Sequence, residues 1–203
     1  MDLEHLPFNW FDFTVVIVLL LGVVRGRRNG LSQELLVMLE WVAMIFGAAF
    51  TYEPVGRFMR ENSVFSELFC YVTSYFVMAV VINIFFRLVK RAIGGKLTGS
   101  DTFGAGEYYL GMFAGLVRFA CIIVFFLALL NARYFSPAEI KAMKKYNDYN
   151  YGSDFFPGVH SVQTEVFQKA CIGPFLSKHI SFLLIKPTAS APAPLKRKEF
   201  QVP

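Results

Sequence analysis

Four long apolar segments occupy most of the first 130 residues of this chain. They run from Phe8 to Val24, from Leu31 to Tyr52, from Leu68 to Val89 and from Tyr108 to Leu130. Each has about 17–24 residues, enough for a helix rising 1.5 Å per residue to cross a hydrocarbon core of ~30 Å. Backbone polar groups must be satisfied internally in lipid, so the pattern predicts an all-α fold, an integral membrane four-helix bundle over residues 8–130.

The composition agrees with a membrane protein and argues against a nucleic-acid-binding one. Hydrophobic residues make up 55% of the chain and charged residues 17%, against about 25% charged residues in soluble domains. The net charge of +5 comes from basic residues beside the apolar segments and in the C-terminal tail. Such placement is typical of membrane topology signals, so we expect the bilayer as a partner and no nucleic acid.

Basic residues also predict the orientation. The loop before the second segment and the loop before the fourth are basic, while the loop 51–67 carries three acidic residues against two basic ones. The basic residues of those two loops are Arg25, Arg27, Arg28, Arg87, Lys90, Arg91 and Lys96. The positive-inside rule then predicts both basic loops in the cytoplasm and both chain ends outside it. Because no Lys or Arg precedes the first segment, we expect a retained helix and not a cleaved signal peptide.

The part after residue 130 is more polar and divides into two stretches. Residues 131–186 are predicted to form an extracytoplasmic amphipathic segment. Within it, Ser136 and Glu139 suit a capping box around a helix that starts at Pro137. A loop is expected from Tyr146 to Gly158, followed by amphipathic helices on the membrane that break at Gly173-Pro174. Residues 187–203 are Pro/Ala-rich and basic, and predict a disordered tail.

Motifs for catalysis or cofactor binding are missing from the sequence. It has no hydrolase elbow, HExxH, Walker loop or CxxC, and its three histidines are scattered. The three cysteines are best explained as small packing residues. We therefore predict no catalytic, cofactor-binding or metal-binding residues, no cofactor, and a protein that is not an enzyme.

Two charged residues lie near the middle of apolar segments, Glu40 in the second and Arg118 in the fourth. A charge in hydrocarbon is costly and usually has a partner or a function. Glu40 is nine residues past Leu31 and Arg118 is nine past Tyr109, so both lie about 13–14 Å deep, and we predict a Glu40–Arg118 ion pair. The alternatives are a protonated or backbone-bonded Glu40 with Arg118 facing a polar cavity, and a proton or solute pathway. Asn83 in the third segment is expected to cross-link helices, and Asp12 to cap the first helix.

Small residues indicate where helices approach each other closely. Gly111 and Gly115 form a G-x-x-x-G pair in the fourth segment, on the same face as Arg118. In the second segment Ala43 and Gly47 follow Glu40 at +3 and +7, again on one side. We expect both faces to pack against other helices.

Two stretches resemble the colicin V production protein (CvpA) family of bacterial inner-membrane proteins. Residues 9–35 are similar to the family's opening helix, which continues through a Gly-spaced turn, here Gly26 and Gly30, to a helix start with Glu34. Residues 107–119 resemble the family's Asp-x-x-x-Gly-x-x-x-Gly-x-x-Arg-Gly stretch, with Glu107 in place of the Asp and Phe119 in place of the last Gly.

The resemblance implies a multi-pass protein of the bacterial inner membrane that supports toxin production or export and envelope function. We expect it to act without catalysis, by self-assembly into a homo-oligomer or by contact with other envelope proteins. The alternative is a subunit of a small oligomeric transporter or channel that uses Glu40 and Arg118.

Overall fold

The structure is a computed structural model that describes residues 9–97, 106–151 and 158–189. It is mainly helical, as predicted, and three of its helices are long and apolar enough to cross a membrane. These are α1 (Trp10–Asn62), α2 (Glu67–Leu97) and α3 (Gly106–Asn131). The C-terminal elements are β1 (Arg133–Tyr134), α4 (Pro137–Tyr151), α5 (Val159–Thr164), a π-helical turn (Glu165–Lys169), α6 (Ile172–His179), a 3₁₀ turn (Ser181–Leu183) and β2 (Thr188–Ala189).

The first two predicted segments lie within the single element α1, which is interrupted at Gly30. Gly30 has φ 72° and ψ 170°, a conformation that glycine adopts without a Cβ clash. The sequence predicted a loop over 25–34, but the helix continues through Arg25 and Asn29 and is broken at one residue. A single glycine is enough because its positive φ redirects the chain sharply.

The two halves of α1 run in opposite directions along α3. In the first half Gly22 lies against Gly115 and Gly26 against Gly111, so residue numbers rise in one helix as they fall in the other. In the second half the order is the same as in α3, because Ile45 packs near Cys121 and Ala48 packs with Leu127. The chain therefore reverses at Gly30.

Helix α2 packs antiparallel to the second half of α1. Gly56 lies against Tyr71, and Gly47 lies against the side chain of Ile82. The largest buried apolar cluster is at the end of the helices farthest from Gly30, where Tyr52 and Tyr75 are almost fully buried and their rings are 6.4 Å apart. Aromatic side chains thus pack together at one end of the long helices, and the turn at Gly30 lies at the other end.

The C-terminal segment agrees with the sequence at its start and differs later. The predicted capping box is confirmed: the Glu139 N–H donates to Ser136 Oγ (3.2 Å) and the Ser136 N–H to Glu139 Oε2 (3.1 Å). The predicted loop from Tyr146 is wrong up to Tyr151, because α4 continues to that residue. Residues 152–157 lie outside the described ranges.

The predicted break at Gly173-Pro174 is also wrong. Chain direction changes at Ala170, which has extended φ/ψ, and α6 starts at Ile172. Pro174 then lies in the first turn of α6, where a missing N–H costs nothing because that donor has no partner within the helix.

The segment folds back onto the far end of the long helices. Val166, Leu184 and Ile185 are buried there with Leu127 and Ala132. These buried residues contact protein, whereas Phe175 and Phe182 of the same segment are exposed, so its place on the membrane surface stays a prediction.

A short parallel pairing between β1 and β2 joins the segment to the end of α3, with Arg133 opposite Thr188 and Tyr134 opposite Ala189. The pairing corrects the predicted start of the disordered tail, since Thr188 and Ala189 are part of the fold. Residues 190–203 are outside the described part of the chain.

We predict that glycines between α1 and α3 tolerate no side chain. A Cβ at Gly26 would overlap the carbonyl oxygen of Gly111, and one at Gly115 would overlap that of Gly22. Gly26→Ala and Gly115→Ala should each lower the free energy of unfolding by about 1–3 kcal/mol, a typical cost of overpacking. Thermal unfolding in detergent measures this.

The matched control is Gly106→Ala, because no atom lies within 4 Å of a Cβ built at Gly106. It should unfold at the temperature of the unmodified protein. Equal melting of all three variants would mean that α1 and α3 are not in contact at these glycines.

Candidate functional site

Two buried acidic residues lie on different sides of the second half of α1. Glu34 faces α3 and is 1% exposed, while Glu40 faces α2 and is 5% exposed. Six residues separate them, which is about 600° of helical rotation at 100° per residue, or roughly 240° around the axis. The two carboxylates therefore point to different neighbours.

The first carboxylate is paired with Arg118. Arg118 Nη1 donates to Glu34 Oε2 at 3.0 Å and to Oε1 at 3.3 Å, and Asn29 Nδ2 donates to Glu34 Oε1 at 2.6 Å. Three donor contacts satisfy a carboxylate that has almost no access to solvent. The pair links the second half of α1 to α3, one turn beyond the break at Gly30.

A second contact joins the break itself to the start of α3. Ser32 Oγ donates to Glu107 Oε1 at 2.7 Å, and Gly30 lies directly against the Glu107 side chain. Together, Asn29, Gly30, Ser32, Glu34, Glu107 and Arg118 form what we call the Gly30 cluster. Its polar contacts between α1 and α3 hold the two helices together where α1 reverses. The two residues in each of these contacts are 75 to 84 positions apart in the sequence.

The other carboxylate, Glu40, joins α1 to α2. Asn83 Nδ2 donates to Glu40 Oε1 at 2.6 Å, which confirms Asn83 as a cross-link between helices. Lys90 forms an ion pair with Glu40 Oε2. The Lys90 ammonium comes from the predicted cytoplasmic loop and reaches back along α2, as a long flexible side chain can.

The predicted Glu40–Arg118 pair is wrong within the chain, since Glu40 pairs with Lys90 and Arg118 with Glu34. Counting residues from the segment starts predicts how far each charge lies along its helix. It does not predict the direction in which the side chain points around the helix axis. Glu34 was known only as a helix start in the family motif, and its spacing of four residues after Gly30 did not reveal an ion pair. Lys90 was missed because it was counted only as a topology signal.

Several predicted helix-packing residues are confirmed, and one glycine of the predicted turn has a packing role instead. Gly111 and Gly115 form the close contact expected of a G-x-x-x-G pair, with Gly26 and Gly22 as their partners. Gly26 is therefore a packing residue inside α1, whereas Gly30 alone forms the break. On the other face, Gly47 contacts Ile82 of α2, and Ala43 is half-buried.

Asp12 caps two helices, one of which the sequence predicted. It forms a capping box with Asn9 at the start of α1, where the Asn9 N–H donates to Asp12 Oδ2 at 3.0 Å. It also accepts the N–H groups of Cys171 (3.0 Å) and Ile172 (2.9 Å) at the start of α6. The fully buried carboxylate thus fastens the C-terminal segment to the start of α1.

A further ion pair connects the C-terminal segment to α1 at the surface. Lys186 Nζ donates to Glu53 Oε2 at 2.9 Å, and this carboxylate raises the pKa of the exposed Lys186 ammonium. The Lys186 N–H donates to the Tyr52 hydroxyl at 3.2 Å. Both contacts hold the segment across the end of the helices.

Chemically, the buried charges are arranged to hold helices together. In the described ranges each buried carboxylate accepts at least two donors: Arg118 and Asn29 at Glu34, Asn83 and Lys90 at Glu40, backbone N–H groups at Asp12. No group of His, Cys, Asp and Glu side chains within these ranges has the arrangement of a metal site.

Comparison with known proteins identifies one family. The family model for colicin V production protein matches residues 11–147, about two thirds of the chain. No curated protein and no solved structure matches. The matched region contains α2, α3, α1 from its second residue onward, and the Gly30 cluster.

The Glu34–Arg118 pair predicts strong coupling in a double-mutant cycle. Glu34→Leu or Arg118→Leu alone leaves one buried charge without its partner and should cost about 3–5 kcal/mol of unfolding free energy. The double variant should recover much of this loss, because two apolar side chains need no partner. Unfolding in detergent of the four proteins measures the coupling.

The control cycle combines Glu40→Leu with Arg118→Leu. These residues share no contact in the fold, so their effects should add within about 0.5 kcal/mol. Coupling in the control cycle and additivity in the first would restore the Glu40–Arg118 pair and contradict the structure.

Proposed function

Because this chain belongs to the colicin V production protein family, we propose that it is a multi-pass protein of the bacterial inner membrane that supports production or export of colicin V-type toxins. The observation that carries the proposal is the arrangement of side chains on its three long helices. Their outward faces carry many exposed hydrophobic residues, while the charged residues Glu40 and Arg118 pair inside the fold with Lys90 and Glu34. Such a surface is compatible with lipid and with other membrane proteins.

The outward apolar faces continue over the length of each helix. Exposed large hydrophobic residues are found on both halves of α1, on α2 and on α3; they include Ile17, Leu20, Leu21, Phe46, Phe50, Phe76, Val80, Ile84, Phe85, Phe113 and Phe126. Soluble monomers rarely expose contiguous apolar surface of this extent. With α1 reversing at Gly30, the apolar helices supply four passes through a bilayer.

The distribution of basic residues supports one orientation of the long helices in the membrane. The end with Gly30 carries exposed Arg25, Arg27 and Arg28 from α1, with Arg87 and Arg91 from α2. The C-terminal segment folds over the opposite end. The positive-inside rule then assigns the Gly30 end to the cytoplasm and both chain ends to the extracytoplasmic side.

We propose a non-enzymatic role that depends on contact with partners. The buried charges are already engaged in linking helices, and the outward faces are available to a second copy or to other envelope proteins. Van der Waals packing is the main association force between helices in lipid, so such contacts would use the same kind of surface that α1 and α3 use internally.

The second candidate is a subunit of a small oligomeric transporter or channel. It is favoured by two charged pairs within apolar helices, because intramembrane ionisable residues often mark ion or solute pathways. In such a subunit, Glu40 would form part of the pathway together with Lys90, and Arg118 together with Glu34. Arg118 Nε is also buried without a hydrogen-bond partner among the described residues.

A complementation experiment separates the two candidates. A toxin-producing strain lacking this protein should regain toxin in the medium when the unmodified protein is supplied, measured by growth inhibition of a sensitive strain. The Glu34→Leu/Arg118→Leu double variant should accumulate and restore toxin equally, if the pair only holds helices together. Accumulation without toxin would favour the pathway candidate. Equal toxin with an empty vector would contradict a role in toxin production.

The orientation predicts thiol accessibility in spheroplasts. The native Cys171 is exposed in the C-terminal segment and should react with a membrane-impermeant maleimide. In a variant without native cysteines, Glu61→Cys should also react, whereas Arg28→Cys should react only after permeabilisation. Labelling of position 28 from outside would reverse the orientation.

A further inference from the structure

The half-buried Arg133 occupies a polar cavity near the junction of α3 with the C-terminal segment. The cavity has a volume of about 230 Å³, and its lining includes Arg133, Phe135, His160, Gln163 and Gln168. It is separate from the Gly30 cluster, which lies at the other end of the helices. Nothing in the function proposed above uses this cavity.

Arg133 differs from the other half-buried cations of the described residues. Lys90 pairs with Glu40 and Arg118 with Glu34, but no carboxylate within the described ranges pairs with Arg133. Its Nε is buried and has no hydrogen-bond partner there. The two Nη atoms have no hydrogen-bond partner in the described ranges either and are not enclosed as Nε is, so an acceptor in the cavity can reach them. A half-buried charge without a partner favours such an acceptor.

The guanidinium is held in place by its surroundings. Its Cζ lies 4.5 Å from the centre of the Phe135 ring, and that ring meets His160 edge-on at 5.4 Å. The Arg133 backbone is fixed by pairing with Thr188 and by Gln163 Nε2, which donates to the Arg133 carbonyl oxygen at 3.0 Å. A cation fixed in this way loses little freedom when it binds a ligand.

We propose that this cavity binds an oxyanion of the phosphate type, with Arg133 as the principal ligand and His160 and Gln168 as further donors. Arg matches tetrahedral and planar oxyanions because its N–H groups form a rigid fork. The phosphate can be free in solution or belong to the headgroup of an anionic lipid, since both present the same oxygen atoms.

The test uses the full-length protein in neutral detergent and measures its melting temperature. Inorganic phosphate should raise it relative to chloride at equal ionic strength and pH. A water-soluble short-chain phosphatidylglycerol is the second probe. A larger effect of the lipid at equal concentration assigns the site to a headgroup, and an equal or smaller effect assigns it to free phosphate.

Three variants complete the experiment. Arg133→Gln should abolish the shift, and Arg133→Lys, which keeps the charge but lacks the forked pair of Nη donors, should weaken apparent affinity roughly tenfold or more, the equivalent of one charge-assisted hydrogen bond. Lys144→Gln removes an exposed charge on α4 and should leave the shift unchanged.

If Arg133→Gln fails to fold, Arg133→Lys and His160→Gln carry the test. The absence of any shift in the unmodified protein, or equal shifts in all variants, overturns the proposal.

Discussion

The close contact between the first half of α1 and α3 is the constraint on which the rest of the structure depends. Gly22 and Gly26 meet Gly115 and Gly111, and neither pair leaves room for a Cβ. This approach brings the Gly30 break against Glu107 and places Glu34 within reach of Arg118. The Glu34–Arg118 pair therefore depends on the backbone-to-backbone packing that brings α1 and α3 together.

The sequence predicted features whose chemistry is local in the chain. The Ser136–Glu139 capping box and the helix cap by Asp12 each depend on residues within a few positions of one another. The apolar segments were also found correctly, since their length and composition need no tertiary information. The family resemblance, based on residues 9–35 and 107–119, is confirmed by the matched region.

Contacts between distant residues could not be predicted in the same way. Glu40 and Arg118 share a depth, but their partners depend on helix rotation, which one sequence does not fix. Asp12 accepts N–H groups 159 and 160 residues away, and nothing near Asp12 indicates that second role. The C-terminal segment looked amphipathic enough for a membrane surface, yet Leu184 and Ile185 are buried on the long helices.

The reversal of α1 at Gly30 is the central claim, and a distance across α1 tests it most directly. Spin labels at Ile17→Cys and Phe50→Cys, in a variant without native cysteines, would sit at exposed positions in opposite halves of α1. Pulsed electron paramagnetic resonance should give a distance well below ~50 Å, the separation that a continuous helix gives over about 33 residues. A distance near ~50 Å would contradict the reversal and the account built on it.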